Sequence, residues 1–318
     1  MIKLDLFDRK ILHELDKYSN ISLIQISKKL KRSKQFILYR INRMEREGLI
    51  LSYNAIIDIE KIGVLTYRFY IKMRNFDKGC RELFEKYISN LKDEVFVFAV
   101  LHGKWDYALI VGVKSTQQLH VIWDNLLKRF KKNILNYNFC LYSPIYNFNK
   151  LFIEDKEVLE RIYGNDPNLY KFKETDLKIL QIYATNTRIP LLHIAQKLKI
   201  SLDTVKNRIK KLEKEKVICG FKLGLDLTKL GYDNYRIDIY LASSSRNKEI
   251  HEFFKYHPNI YQVHYTIGGA DMEIELFVKD LQHLINIMEE IKAKFSDVMD
   301  YMDYFSYSSI IRINYVSD

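Results

Sequence analysis

Between Ser33 and Arg46 the side chains of Lys34, Gln35, Tyr39, Asn42, Arg43 and Arg46 recur three and four residues apart. On a helix that spacing gathers them on one face, opposite an apolar stripe of Ile37, Ile41 and Met44. Long cationic donors neutralise phosphates, while amides and guanidinium groups pair with base edges. The chemistry these residues suit is therefore recognition of duplex DNA. Arg40 flanks the stripe, where a phosphate contact and a structural salt bridge are equally open. Ser33, just ahead of the helix, has the hydroxyl needed to cap its first free N–H groups. A second segment repeats the arrangement, with Ser201 in the place of Ser33, Val205, Ile209 and Leu212 inward, and Lys206, Asn207, Lys210 and Lys211 outward. Arg208 takes the place of Arg40. Leu202 and Asp203 stand where the first segment has Lys34 and Gln35, so the second segment is expected to read a different sequence or to bind more weakly.

Two further clusters could hold a small molecule. Gly268 and Gly269 allow close approach of a ligand to the backbone, and Asp271 supplies a carboxylate for an ammonium group. Gly103 and Asp106 occupy the matching place earlier in the chain, although Lys104 and Trp105 there add bulk. The same residue types are also ordinary hairpin chemistry. The eight histidines are scattered, and neither a Ser-His-Asp set, nor a paired-carboxylate motif, nor a phosphate-cradling Gly loop is present, so no catalytic residue or cofactor is expected. Cys80, Cys140 and Cys219 form no CxxC pair, which points away from disulfides and zinc. A net charge of +11 suits a polyanionic partner. With no apolar run near the ~18 residues of a membrane span and no signal-peptide h-region, a cytoplasmic location is expected.

The elements that must carry these residues come from an internal repeat. Asp8-Arg9-Lys10-Ile11-Leu12 matches Asp176-Leu177-Lys178-Ile179-Leu180, and the same offset of 168 residues aligns Ile21 with Ile189, Ser33 with Ser201, Arg40 with Arg208 and Asp58 with Asp226. The match resurfaces at Gly103 and Gly268 with an offset of 165. Each copy opens with three short helices, the second and third separated by two residues, which is a helix-turn-helix. Gly48–Tyr53 and Lys216–Phe221 then predict the first strand of a wing that returns toward the helices and touches the duplex backbone.

Beyond Thr66 the texture changes to Tyr-, Phe-, Val- and Ile-rich strands alternating with amphipathic helices. The order is βαββαβ in both copies, so the expected fold class is α+β, with two winged helix-turn-helix domains alternating with two ferredoxin-like βαββαβ domains. The expected domains are 1–63, 64–146, a linker 147–172 with a short helix from Phe152 to Tyr163, then 173–231 and 232–318. One face of each sheet is left without helices, and Tyr67, Phe69, Phe96, Phe98, Tyr235, Tyr240 and Tyr265 are candidates to pair it with another sheet, within the chain or between chains.

The opening Asp8–Leu12, the block Arg40–Ile50 and the run Ile260–Val278 around Gly-Gly-Ala-Asp resemble the Lrp/AsnC, or feast/famine, family of prokaryotic regulators. The resemblance spans both copies and implies a transcription regulator that contacts double-stranded DNA. It also implies C-terminal domains that oligomerise and, in many members, bind an amino acid near the Gly-containing hairpin. Family members usually carry one unit per chain, so the tandem implies a homo-oligomer or a built-in pseudo-dimer with two unlike heads. Two other readings stand beside it. Siroheme decarboxylases resemble this family in fold, which would require His or Arg residues for an acidic tetrapyrrole. A largely non-specific architectural DNA binder is the other.

Overall fold

The computed structural model describes residues 1–313 except 75–76, 92, 151–152, 155–156 and 167. The first copy runs α1 (Leu6–Lys17), α2 (Leu23–Leu30), α3 (Lys34–Arg46), β1 (Ile50–Ile57), β2 (Leu65–Met73), α4 (Lys78–Asn90), β3 (Val95–Gly103), β4 (Tyr107–Val113), α5 (Thr116–Phe130) and β5 (Ile134–Phe148). A short strand β6 (Glu160–Tyr163) lies in the connection. The second copy runs α6 (Glu174–Tyr183), α7 (Leu191–Leu198), α8 (Leu202–Lys214), β7 (Ile218–Leu225), β8 (Asp233–Leu241), α9 (Asn247–Tyr256), β9 (Ile260–Ile267), β10 (Met272–Val278), α10 (Leu281–Phe295) and β11 (Met299–Ile313). The strand and helix order in both copies is the expected α+β one.

The two ferredoxin-like sheets join within the chain. Strand order is β2-β4-β3-β11-β8-β10-β9-β5, and β5 returns to pair with β2, so eight antiparallel strands close into a barrel. Closure leaves these strands no free edge, and in a barrel of this size side chains can fill the interior. Helices α4 and α5 cover the first sheet through Phe84, Ile88, Leu119, Leu126 and Phe130. On the second sheet, α9 and α10 bury Ile250, Phe254, Leu284, Ile291 and Phe295.

Which strand residues face inward differs from the sequence reading. Tyr67, Phe69 and Phe98 pack beneath the helices, and Phe96 packs against the second helical domain. The barrel interior takes the alternate positions, among them Tyr70, Leu101, Cys140, Tyr142 and Phe305. Strand side chains alternate with period two, so an aromatic-rich strand does not by itself reveal which face is the covered one.

Strand β1 pairs with β7 of the other copy. The expected return toward its own helices is replaced by an antiparallel ribbon joining the two halves. In that ribbon Asn54 lies opposite Lys222, its own equivalent at the offset of 168. Nearby, the buried hydroxyls of Ser19 and Thr187, again equivalents, stand 2.7 Å apart. Residues that meet their own equivalents mark a pseudo-two-fold axis, so the chain is a dimer of its two halves.

The connection is held against the first copy. Lys150 Nζ lies 3.0 Å from Asp16, Arg161 donates to the carbonyls of Asp16 and Lys17 at 2.7 Å each, and Lys61 Nζ meets Asp166 at 2.5 Å. The expected helix over 152–163 is corrected: Glu160–Tyr163 extends the sheet by pairing with β5. Leu151, Phe152, Asp155 and Lys156 lie outside the described residues.

Candidate nucleic-acid interface

Each recognition helix is set by its own caps. Ser22 and Gln25 cap one another's backbone at the start of α2, and Lys31 ends that helix in the left-handed region at φ 50°. Ser33 then accepts from Phe36 N and starts α3. In the second copy Lys199 has φ 54° and Ser201 accepts from Thr204 N. Ser33 is thus the cap expected of it, and its equivalent Ser201 caps α8 in the same way. Ile37, Ile41 and Met44 are buried, as are Val205, Ile209 and Leu212. Lys34, Gln35, Tyr39, Asn42 and Arg46 are exposed on α3, and Lys206, Asn207, Lys210, Lys211 and Lys214 on α8.

Arg40 and Arg43 point elsewhere. Arg43 Nη2 sits 2.6 Å from Asp8 Oδ2, Arg40 Nη1 sits 3.1 Å from Asp8 Oδ1, and Arg40 also bonds Asp5. Asp8 is only 1% exposed. Arg208 faces the buried Asp176 at 3.5 Å in the second copy. Of the two roles open for Arg40 and Arg208, the structural salt bridge is the one realised. The position of Arg43 is Lys211 in α8, which is exposed near the Tyr170 ring. The weaker grip expected of the second copy rested on Leu202 and Asp203 in place of Lys34 and Gln35; with Arg40 and Arg43 turned to Asp8, however, it is the second helix that presents more exposed cations.

The hairpins between the central strands have a closing role. Asp106 accepts from Met73 N at 2.7 Å and from Lys72 Nζ at 2.9 Å, and Asp271 accepts from Leu241 N at 2.8 Å. Gly268 has φ +89°, and a Cβ there would lie 3.0 Å from Phe139 O in the other copy's β5. At Gly103, φ +122°, a Cβ would lie 3.3 Å from Tyr304 O and Phe305 Cβ of β11. Close approach is thus used to seal one sheet against the other. Lys104 bonds Asp303 and Tyr240 across the junction, and Trp105, 4% exposed, stacks on Tyr70 inside the barrel. At the second hairpin, Gly269 and Ala270 leave that bulk out.

At the barrel centre lies an ionic cluster that the sequence reading missed. Arg68 and Arg236 are equivalents, and both contact Glu273 Oε2, Arg68 at 3.3 Å. Glu275 accepts from Arg236 at 3.3 Å, Tyr307 at 3.0 Å and Tyr261 at 2.6 Å. The first copy has Ala108 and Ile110 where the second has Glu273 and Glu275. Burial, with Arg236 nearby, pushes the His264 imidazole down to about 3, so it is neutral. An arginine at the same repeat position of two apolar strands was the available signal. Among the described residues no group of three or more His, Cys, Asp or Glu is arranged to hold a metal ion, and no helix is long and apolar enough to cross a membrane.

A family model for winged helix-turn-helix DNA-binding domains matches residues 4–50 and again 172–218. The leucine-responsive regulatory protein of Klebsiella pneumoniae is 32% identical over 155 residues, which is 48% of this chain and 93% of that protein. An HTH-type transcriptional regulator of Pyrococcus abyssi is 34% identical over 99 residues, 31% of this chain and 67% of its own length. Among solved structures, the siroheme decarboxylase NirDL superposes with a TM-score of 0.67 at 11% identity, covering 98% of this chain and 94% of that one. At that identity the likeness is one of fold.

Proposed function

The chain belongs to the Lrp/AsnC family of prokaryotic transcription regulators, and we propose that a single molecule of it grips an operator with two unequal heads. The observation that carries this reading is the β1–β7 ribbon with Asn54 opposite Lys222, which fixes two helix-turn-helix units about one pseudo-two-fold axis. Lys34, Gln35, Tyr39 and Asn42 contact the first half-site, and Lys206, Asn207 and Lys210 the second, while Ser33 and Ser201 orient the helices. Arg40, Arg43 and Arg208 act indirectly, by seating α3 and α8. The molecule works in the cytoplasm, beside the chromosome. Its effector is an amino acid or similar small molecule, taken up at the exposed Asp271 carboxylate of the second hairpin; the first hairpin, at Gly103 and Asp106, is filled by Lys104 and Trp105.

We read the chain as a regulator without catalytic activity. The support is the likeness to a leucine-responsive regulatory protein over 93% of that protein's length, together with the scatter of the eight histidines. Binding to a duplex selected from a random pool, titrated with salt, tests the reading. Affinity is expected to fall steeply, with each neutralised phosphate adding ~0.9 to the slope. The selected duplex is expected to win over random duplex by ~1000-fold or more. A flat salt response refutes DNA binding, and equal affinity for both duplexes favours the architectural role.

A further inference from the structure

The exposed face of α3 carries two large side chains that a phosphate-gripping helix does not need. Leu38 is 41% exposed and Tyr39 63% exposed, with Gln35 one turn before them and Asn42 one turn after. Their equivalents on α8 are Lys206 and Asn207. Leu38 and Tyr39 are adjacent and exposed on the face that carries Gln35 and Asn42, so an apolar group presented to that face would bury them and gain from it. The major groove of B-form DNA displays one apolar group on its base edges, the C5 methyl of thymine. The usual guanine readers on this helix, Arg40 and Arg43, are withdrawn to Asp8.

We infer that the first head reads thymine methyl groups through Leu38 and Tyr39, whereas the second reads polar base edges through Lys206 and Asn207. The inference rests on the DNA-binding reading above and adds what each half-site contains. The first half-site is rich in thymine at the positions facing the middle of α3. The second presents acceptors for lysine, as guanine does, and the paired donor and acceptor of adenine for asparagine. The operator is therefore asymmetric in chemistry as well as in sequence.

The experiment uses the full chain and a duplex selected from a random pool. Deoxyuridine, which lacks only the methyl group, replaces thymidine in one half-site at a time. Each contacted methyl lost from the first half-site should weaken binding about fourfold, and the same replacement in the second half-site should change it less than twofold. The L38K/Y39N variant, which carries the second head's residues, identifies the half-sites: its selected sequence changes in one half only, and its uracil sensitivity disappears there. If uracil has no effect, or acts equally in both halves, while selective and salt-dependent binding persists, the inference is wrong and Leu38 and Tyr39 face another partner. If no sequence is selected and salt has no effect, it is the DNA-binding reading that fails.

Discussion

Asp8 does two things at the root of the first recognition helix. With Asp5 it completes the capping box of α1, and its buried carboxylate anchors Arg40 and Arg43. Removing it takes away the reciprocal half of that capping box and leaves Arg40 with Asp5 alone and Arg43 with only the Glu47 carboxylate 3.9 Å away. Asp8→Ala is expected to lower unfolding stability by ~2–4 kcal/mol, measured by denaturant titration, whereas Lys34→Ala should leave stability within ~0.5 kcal/mol and reduce the salt slope of DNA binding by ~0.9. A second expectation concerns His264. Its folded pKa of about 3 lies below the unfolded value of ~6.5, so the unfolded chain takes up the proton first. The stability that goes with a neutral His264 is complete above pH ~6.5 and drains away as pH falls toward 3, at no more than ~1.4 kcal/mol per pH unit. Burial lowers His13 and His257 as well, so His264→Gln should flatten the melting-temperature profile over that window without making it level. An unchanged profile would contradict the burial of a neutral imidazole. The exposed face of α3 was legible from its periodicity, but the fate of Arg40 was not, because it depends on where the start of α1 comes to rest.

Among the elements, strand and helix order was legible because Tyr, Phe, Val and Ile runs alternate with strongly amphipathic helices. The pairing of β1 with β7 was not legible, since Ile50–Ile57 and Ile218–Leu225 each suit a local wing as well as a ribbon between copies. Nor was the inward face of the barrel, where Arg68 and Arg236 interrupt apolar strands. That cluster makes the two sheets complementary rather than interchangeable. Two first-copy sheets would bring two Arg68 side chains together beside Ala108 and Ile110, with no carboxylate from those positions. Two second-copy sheets would bury an excess of Glu273 and Glu275. Glu273→Ala places the first copy's residue in the second and leaves both arginines short of their shared partner. It should cost ~3–5 kcal/mol, read as a lower denaturation midpoint of the whole barrel. Glu273→Gln keeps the shape and a hydrogen-bond acceptor and should recover part of the loss. Equal stability of all three proteins would mean the cluster does not bind the sheets together.

For the molecule as a whole, the repeat was legible in its unbroken offset of 168 residues, and the resemblance to Lrp/AsnC regulators followed from Arg40–Ile50 and the Gly-Gly-Ala-Asp hairpin. What the repeat could not say was whether its halves pair with each other. The closed barrel, the Asn54–Lys222 register and the Ser19–Thr187 contact give that answer through residues that meet their own equivalents. The connection ties the first head to the barrel through Asp16, Lys61 and Arg161, and the β1–β7 ribbon joins that head to the second, so the distance between α3 and α8 is a property of the folded chain. The most direct test is a footprint combined with binding stoichiometry on the selected duplex. One chain should protect two non-identical half-sites about one helical turn, ~34 Å, or a multiple of it apart. Two chains on a palindromic pair of identical half-sites, each engaged by the same head, would contradict the single-chain dimer.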